Sequence, residues 1–434
     1  MGNYYSPEIE CAGRDALMRI QLERLKALAA HAYKNVPLYK KKFDEIGILP
    51  EDVKSLADIG RLPFTTKTDI RDCYPYKMLA VPDEQIARIH ASSGTTGKPT
   101  VVGYTRGDLE LWAECCARAI AAAGGQRGDH LHVAYGYGLF TGGLGLHAGG
   151  EKLGLAVIPV SSGNTKRQIQ ILTDFHSDIL CCTPSYALYI GETLAEMGYG
   201  PDDIPLRAGI MGAEPWTDRM RLQIEKLLGI KAYDIFGMSE LCGPGVSFEC
   251  EAQEGMHINE DYFYPEIIDP ETGEAVAEGE SGELVITCLN KEAMPLIRYR
   301  TRDITSFIPG KCSCGRSLAR VRRLTGRTDD MLIIRGINVF PSQVESVLLE
   351  MNMVTPNYLL IVDRENNLDT LEVQVEITEA FFSDSVRDIE HVERKIAHAL
   401  RDTLNISAKV RLVDPRTIAR SQGKAKRVVD KRVY

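Results

Sequence analysis

Apolar and polar positions divide the chain into regions of different texture. Residues 8–45 space their apolar positions at helical intervals around a polar, basic face, and predict mostly helix. From about residue 85, short apolar runs predict strands at Gln85–Ala91, Leu131–Tyr135, Leu155–Val160, Ile179–Cys182, Ala208–Gly212 and Ala232–Phe236. Between them, Arg106–Ala123, Thr165–His176, Pro184–Met197 and Pro215–Leu228 read as helices, and strands alternating with helices imply a largely parallel sheet. Beyond residue 245 short β-like runs flank the turn signal Asp269-Pro270-Glu271-Thr272-Gly273, which points to antiparallel pairing. From Met331 the order is strand, helix, strand, strand, helix, strand, with strands at Met331–Arg335, Tyr358–Asp363, Leu371–Ile377 and Ala408–Val413 and helices at Pro341–Met351 and Ile389–Leu404. That is a small split β-α-β unit. The expected fold is α/β: a large domain, 1–328, with mainly parallel sheets and an antiparallel subdomain, and a small domain, 329–434, divided from it near Arg327–Asp330.

Composition narrows the function classes. The net charge is −9, without the basic excess of a nucleic-acid binder. We find no apolar run long enough to span a membrane and no apolar signal core. Of the 11 cysteines, the adjacent pairs Cys115-Cys116 and Cys181-Cys182 sit in apolar runs, as buried free thiols of a reducing cytoplasm do. A homodimer is left open.

Candidate chemistry starts at Ser92-Ser93-Gly94-Thr95-Thr96-Gly97-Lys98-Pro99-Thr100, directly after a β-like run. Two glycines let the backbone turn tightly toward a ligand, and the hydroxyls and Lys98 supply donors, which suits a polyphosphate. It is not a Walker A loop, because Ser92 stands where that motif needs glycine and Pro99 where it needs Ser or Thr.

This loop resembles the signature of the adenylate-forming superfamily: acyl-CoA synthetases, peptide-synthetase adenylation domains and luciferases. Further segments similar to that family's motifs follow in order: Gly212-Ala213-Glu214, Asp234-Ile235-Phe236-Gly237-Met238-Ser239-Glu240, Tyr299-Arg300-Thr301-Arg302-Asp303, Gly326-Arg327-Thr328-Asp329-Asp330 and Ser421-Gln422-Gly423-Lys424. The resemblance implies an ATP site lined by Ser93, Gly94, Thr95, Thr96, Gly97 and Lys98, by Ala213 and Glu214, by Asp234 through Ser239, and by Asp303 and Arg327. Phe236 can stack on adenine, Asp234 can accept from its amine, and Asp303 can accept two ribose hydroxyls. Glu240, with Thr95, can hold Mg2+. Lys424 is the expected catalytic lysine, bridging carboxylate and α-phosphate; Asp329 is the expected hinge; Arg335 and Gly336 are expected to face coenzyme A.

A narrower resemblance, to phenylacetate–CoA ligases, covers nearly the whole chain. Its residues are Leu62–Lys67, Ala134–Gly145, Ile158-Pro159-Val160 with Gly163-Asn164-Thr165, Gly243–Val246 and Asp330–Gly336. In Ala134–Gly145, Tyr135, Tyr137 and Phe140 offer flat walls while Gly142, Gly143 and Gly145 leave room; with Gly212 they form the expected pocket for an aryl or arylalkyl acid. The resemblance implies phenylacetate, and a hydroxylated relative or indole-3-acetate needs only small changes of such a pocket. The implied reaction runs from acid and ATP through an acyl-adenylate to the CoA thioester. The alternative is an adenylation enzyme loading a carrier-protein thiol or an amine; no carrier-like domain lies within these residues, which favours free CoA. A non-enzymatic zinc-containing module is the third reading, and Lys424, Glu240 and Asp303 together speak against it.

Cys312-Ser313-Cys314-Gly315 is a tight turn with two thiols, and Cys250 and His257 have six residues between them. Three thiolates and one imidazole make a closed tetrahedral set, so structural Zn2+ is expected.

Overall fold

The computed structural model describes residues 2–432 apart from 93–98, 325, 328–331, 336, 352, 366–367, 379–385, 405 and 422–424. The chain forms two units. One holds Met1–Cys182, Asp202–Ala213 and Ile230–Arg323; the other holds Thr183–Pro201, Glu214–Gly229 and Leu324–Tyr434.

In the first unit, the N-terminal helical region is three helices: Pro7–Glu10, Arg14–Asn35 and Pro37–Ile46. The break at Val36 follows from Pro37, which forces the preceding residue out of the helical region; Val36 is extended at φ −115°, ψ 111°. Strands β1 (Arg88–Ala91) and β2 (Val101–Tyr104) form an antiparallel hairpin with Ala91 opposite Val101. Strands β3 (His130–Val133), β4 (Ala156–Ile158), β5 (Ile179–Cys182), β6 (Ala208–Gly212) and β7 (Lys231–Met238) are parallel, and β8 (Gly243–Glu249) and β9 (Met256–Ile258) continue the sheet antiparallel. Strands β10 (Phe263–Ile268), β11 (Gly282–Cys288) and β12 (Leu296–Thr305) pair antiparallel in a second sheet. Two short strands, β13 (Phe307–Ile308) and β14 (Arg320–Val321), complete the first, whose order is β13-β14-β9-β8-β7-β6-β5-β3-β4.

The pattern explains this layering. Every residue of β5 and β6 is buried, as expected of central parallel strands covered on both faces. Helix Arg106–Ala122 starts at a capping box in which Thr105 and Asp108 satisfy each other's backbone N–H. Its small residues admit helix Gly142–Leu153 at close range: a Cβ on Gly149 would lie 2.4 Å from Cys116 Cβ. Cys115, Cys116, Cys181 and Cys182 are buried free thiols, and burial pushes the first three well up.

The second unit holds helices Pro184–Glu196 and Asp218–Leu228 and a four-stranded sheet ordered Lys409–Val413, Leu368–Ile377, Val354–Glu365, Val428–Asp430. Helices Pro341–Leu349 and Val386–Leu404 contribute Val344, Leu348, Val392, Ile396 and Leu400 to its apolar core. Two details differ from the sequence pattern. Leu332–Ile334 pairs with Ile337–Val339 in a hairpin of its own. The place beside Val354–Glu365 is taken by Val428–Asp430, running parallel to it. Among the described residues no helix is long and apolar enough to cross a membrane.

Candidate functional site

The parallel strands of the first unit end where the sequence motifs lie. β6 stops at Gly212 and β7 carries Asp234, Ile235, Phe236, Gly237 and Met238; Met211 pairs with Asp234 and Gly212 with Ile235. Two glycines here are obligatory. A Cβ on Gly212 would sit 2.2 Å from the Ile235 carbonyl oxygen, and one on Gly237 would sit 1.7 Å from that of Gly243. Ala213 follows in a left-handed conformation at φ +72°, a strained position for a non-glycine residue at a strand end.

Asp234 is nearly buried, and Arg323 Nε lies 3.3 Å from its carboxylate while Arg323 also faces Glu249. The Asp234 N–H donates to Glu249 at 2.8 Å. Nothing in the sequence marks Arg323 as its partner. Ser239 is tied from two sides: its carbonyl accepts from Tyr104 Oη at 2.6 Å, and its hydroxyl shares a hydrogen bond with Thr141 at 3.1 Å. Glu240 is buried; Lys291 Nζ donates to its backbone carbonyl at 2.6 Å, while its carboxylate has no hydrogen-bond partner among the described residues. A buried carboxylate left in that state fits a divalent cation. Asp303 is buried on β12, its N–H donating to Thr301 Oγ1 at 3.1 Å.

The residues expected on the acid side, apart from Gly212 at the end of β6, lie in one loop and the helix that follows it. Tyr135 is buried, Tyr137 half-buried and Phe140 largely exposed. Tyr137 Oη meets His147 Nδ1 at 3.2 Å, and His147 Nε2 meets Glu151 at 3.1 Å. Burial pushes the Tyr137 phenol up, so it stays protonated. Gly142 and Gly143 do not simply leave space: a Cβ on Gly142 would meet the Phe140 ring at 2.4 Å, and one on Gly143 the Gly136 carbonyl at 3.0 Å. They allow the loop to fold onto its own helix.

In the second unit, the Glu214 carboxylate accepts from Ser185 N at 2.7 Å and Ala425 N at 2.8 Å. Arg335 is exposed and donates to the Asp369 carbonyl at 2.7 Å. Ser93, Gly94, Thr95, Thr96, Gly97, Lys98, Asp329, Gly336 and Lys424 lie outside the described residues, as does the Arg327 side chain.

The cysteine–histidine set comes together. The ligand atoms of Cys250, His257, Cys312 and Cys314 all lie within 4.8 Å of one another, and all four residues are buried. Cys250 Sγ is 3.6 Å from Cys312 Sγ, and Cys314 Sγ is 3.4 Å from His257 Nε2. The edges of a tetrahedral zinc site are roughly 3.8 Å between thiolates and roughly 3.5 Å between thiolate and imidazole, from bond lengths of about 2.3 and 2.0 Å. The separations and the donor chemistry therefore fit Zn2+. Three buried thiols at this spacing cannot all ionise unaided: a hydrogen bond to Cys314 and burial push Cys250 up, while hydrogen bonds from Cys250 and His257 pull Cys314 down. Around them closes the N-terminal segment. Tyr4 Oη donates to the Cys314 carbonyl at 2.5 Å, the Arg316 N–H points at Cys314 Sγ at 3.5 Å, and Arg316 pairs with Glu10 at 2.7 Å with both side chains fully buried.

Comparison with known proteins agrees with this architecture. Residues 17–288 match the family model "AMP-binding enzyme", and residues 336–432 match "AMP-binding enzyme C-terminal domain". The phenylacetate–coenzyme A ligase of Aromatoleum evansii is 53% identical over 427 residues, 98% of this chain and 96% of that one. Its counterpart from Thermus thermophilus is 50% identical over 99% of both chains. Among solved structures, a 2-hydroxyisobutyryl-CoA ligase in complex with R3-HIB-AMP superposes with a TM-score of 0.92 at 30% identity, covering 99% of this chain and 92% of that one. With half or more of its residues shared along nearly the full length of such relatives, the chain belongs to the phenylacetate–coenzyme A ligases of the AMP-binding enzyme family.

Proposed function

We propose that this chain is an ATP-dependent acid–thiol ligase that converts an arylacetic acid, phenylacetate first, into its coenzyme A thioester through an acyl-adenylate, releasing AMP and pyrophosphate. The observation that carries this reading is identity of 50–53% along nearly the whole chain to four phenylacetate–coenzyme A ligases. In the first half-reaction a carboxylate oxygen bonds to the α-phosphorus of ATP and the bond to pyrophosphate breaks. In the second, the CoA sulfur bonds to the acyl carbon, its proton leaves to solvent, and the bond to AMP breaks.

The protein's contribution is positioning and charge. Tyr135, Tyr137 and Phe140 wall the aryl group; Tyr137, kept protonated and held by His147, is a wall and not a base. Phe236 and Asp234 serve the adenine and Asp303 the ribose, with Arg323 fixing the Asp234 carboxylate. Lys424 bridges the reacting oxygens in the first half-reaction; residues 329–434 then turn about Asp329, and Arg335 and Gly336 serve coenzyme A. Glu240 and Thr95 would hold Mg2+, which supplies neutralisation of phosphate charge. Cys250, His257, Cys312 and Cys314 would hold a structural Zn2+: four protein ligands leave no open position for chemistry. We place the protein in the cytoplasm, where eleven cysteines outside any disulfide persist.

A substrate panel tests the reading: phenylacetate, indole-3-acetate, benzoate, acetate and palmitate, each with ATP and CoA, with thioester and AMP quantified. Phenylacetate or indole-3-acetate should lead clearly. Preference for palmitate would overturn the arylacetate assignment.

A further inference from the structure

One buried imidazole lies between the two loops to which nucleotide and acid are assigned, and the reaction as described makes no use of it. His90 is the third residue of β1 and only 1% exposed. Two residues on, the Ser92 N–H donates to Thr100 O at 3.0 Å and the Thr100 N–H to Ser92 Oγ at 3.2 Å, closing the stem of the phosphate loop. On its other side is the acid-side loop. The Leu139 carbonyl receives two hydrogen bonds from β1: one from the Ala91 N–H at 3.1 Å and one from His90 Nδ1 at 3.0 Å. A carbonyl only accepts, so the proton sits on Nδ1. His90 Nε2 has no hydrogen-bond partner among the described residues, and burial pulls the imidazole's pKa down, so the ring is neutral.

The orientation of that ring is set from below. It packs edge-on against Tyr104 at 5.5 Å and against Trp112 at 5.7 Å, and those two rings stack at 5.4 Å. Each is itself tethered near the site: Tyr104 Oη to the Ser239 carbonyl, Trp112 Nε1 to the Pro244 carbonyl at 3.0 Å. A Cβ at Gly145 or Gly243 would strike the Trp112 ring at 2.4 Å, so both segments lie directly on it. The imidazole is therefore held by packing, and its hydrogen bond to Leu139 reaches out to a loop whose tip is exposed, with Leu139 at 63% and Phe140 at 45%.

We propose that His90 is a positioning residue that locks the acid-side loop 136–141 onto the stem of the phosphate loop, so that carboxylate and α-phosphate are presented to each other in register. The proposal rests on the reading of 92–100 as the nucleotide loop and 135–145 as the acid loop. Without the Nδ1–H, the Leu139 carbonyl keeps the Ala91 N–H alone, and the loop loses one of its two bonds to β1. That loss loosens Tyr137 and Phe140 relative to the phosphate stem without removing any group that touches a substrate. A misplacement of this kind acts on the apparent affinity of both substrates together.

The test compares His90→Phe, which keeps a ring without a donor, with His90→Asn, whose Nδ2–H can take the place of Nδ1–H. Steady-state pyrophosphate release is measured over acid and ATP concentrations at matched folded fraction. His90→Phe should raise the KM values for acid and for ATP together, with kcat/KM falling about ten-fold, the scale of one hydrogen bond. His90→Asn should recover to within about three-fold of the parent. Phe140→Ala and Lys98→Ala report on the loop assignments separately, the first raising only the acid KM and the second only the ATP KM. If those two behave as stated while His90→Phe leaves both KM values unchanged, or while Asn is no better than Phe, the locking role is overturned and the site reading stands. If Phe140→Ala and Lys98→Ala also change nothing, the site reading itself fails.

Discussion

Replacing Glu10 by Ala removes one partner of an ion pair with no exposure on either side chain. Burial works against the Arg316 charge, and Glu10 overcomes it, holding the guanidinium above its ordinary range. The other Glu10 oxygen accepts the Tyr5 and Ser6 N–H groups, each at 2.8 Å. Removing one member of a buried pair strands the other charge and costs about 3–5 kcal/mol. Two N–H groups lose their acceptor as well, at about 1 kcal/mol each, part of it recovered by water at this partly open helix start. We therefore expect a loss of about 4 kcal/mol in the first unit. Urea unfolding read by fluorescence measures it, because Trp112 and Trp216 are the only tryptophans and stand in different units; a Trp216→Phe background leaves Trp112 to report on the first. Glu10→Gln, which keeps an acceptor, should lose less. The double change Glu10→Leu with Arg316→Met should recover most of the loss, since apolar replacement of a whole buried pair is often neutral or better. Arg316 also donates its N–H to Cys314, so Glu10→Ala should speed zinc transfer to a chromophoric chelator several-fold. A loss below about 1 kcal/mol, or a double variant as unstable as the single, would refute this account of the N-terminal cap.

Other outcomes follow from the same geometry. Protein purified without added metal should carry about one equivalent of zinc by elemental analysis, and Cys312→Ser should lower folded yield far more than activity per folded molecule; a stable, metal-free parent would contradict this. Lys424→Ala should lose about a hundred-fold or more in pyrophosphate release, yet form thioester from pre-made acyl-adenylate and CoA at close to the parent rate. Equal losses in the two assays would make Lys424 structural. For His132, burial lowers the pKa to about 4, with a hydrogen bond to Gln168 opposing. Its folded pKa lies below the unfolded value near 6.5, so its neutral burial contributes stability that is complete above about pH 6.5 and drains as pH falls toward 4. His132→Gln should flatten the stability–pH curve in that window, and an unchanged slope would refute the assignment.

Legibility in the sequence varied with how local the cause was. β5 and β6 were plain because both their faces are buried, leaving unbroken apolar runs. The Cys–His set was legible in part because two thiols one residue apart rarely serve as core, although only the fold brings Cys250 to Cys312. Arg323 was hidden: its pairing with Asp234 depends on the long return of the chain through β9 and β14, and a lone arginine gives no local signal. Val428–Asp430 was masked by the basic residues flanking it. The role of the glycines of 142–145 is not legible locally, for a general reason. A glycine that admits a neighbouring ring and one that leaves a cavity have the same sequence signature, and here Phe140 and Trp112 fill the room. His90 escaped notice because a histidine inside a strand ordinarily reads as core, and its carbonyl partner lies in a loop that the sequence places far away.

The central claim is an acyl-adenylate pathway, and the fate of carboxylate oxygen tests it most directly. Phenylacetate labelled with 18O at both carboxylate oxygens is turned over with ATP and CoA, and the nucleotide and phosphate products are weighed by mass spectrometry. The account predicts one 18O in AMP, with pyrophosphate unlabelled, because the oxygen that attacks the α-phosphorus leaves with it when the thiol arrives. Label in phosphate with ADP as the nucleotide product, or unlabelled AMP beside a full yield of thioester, would contradict it.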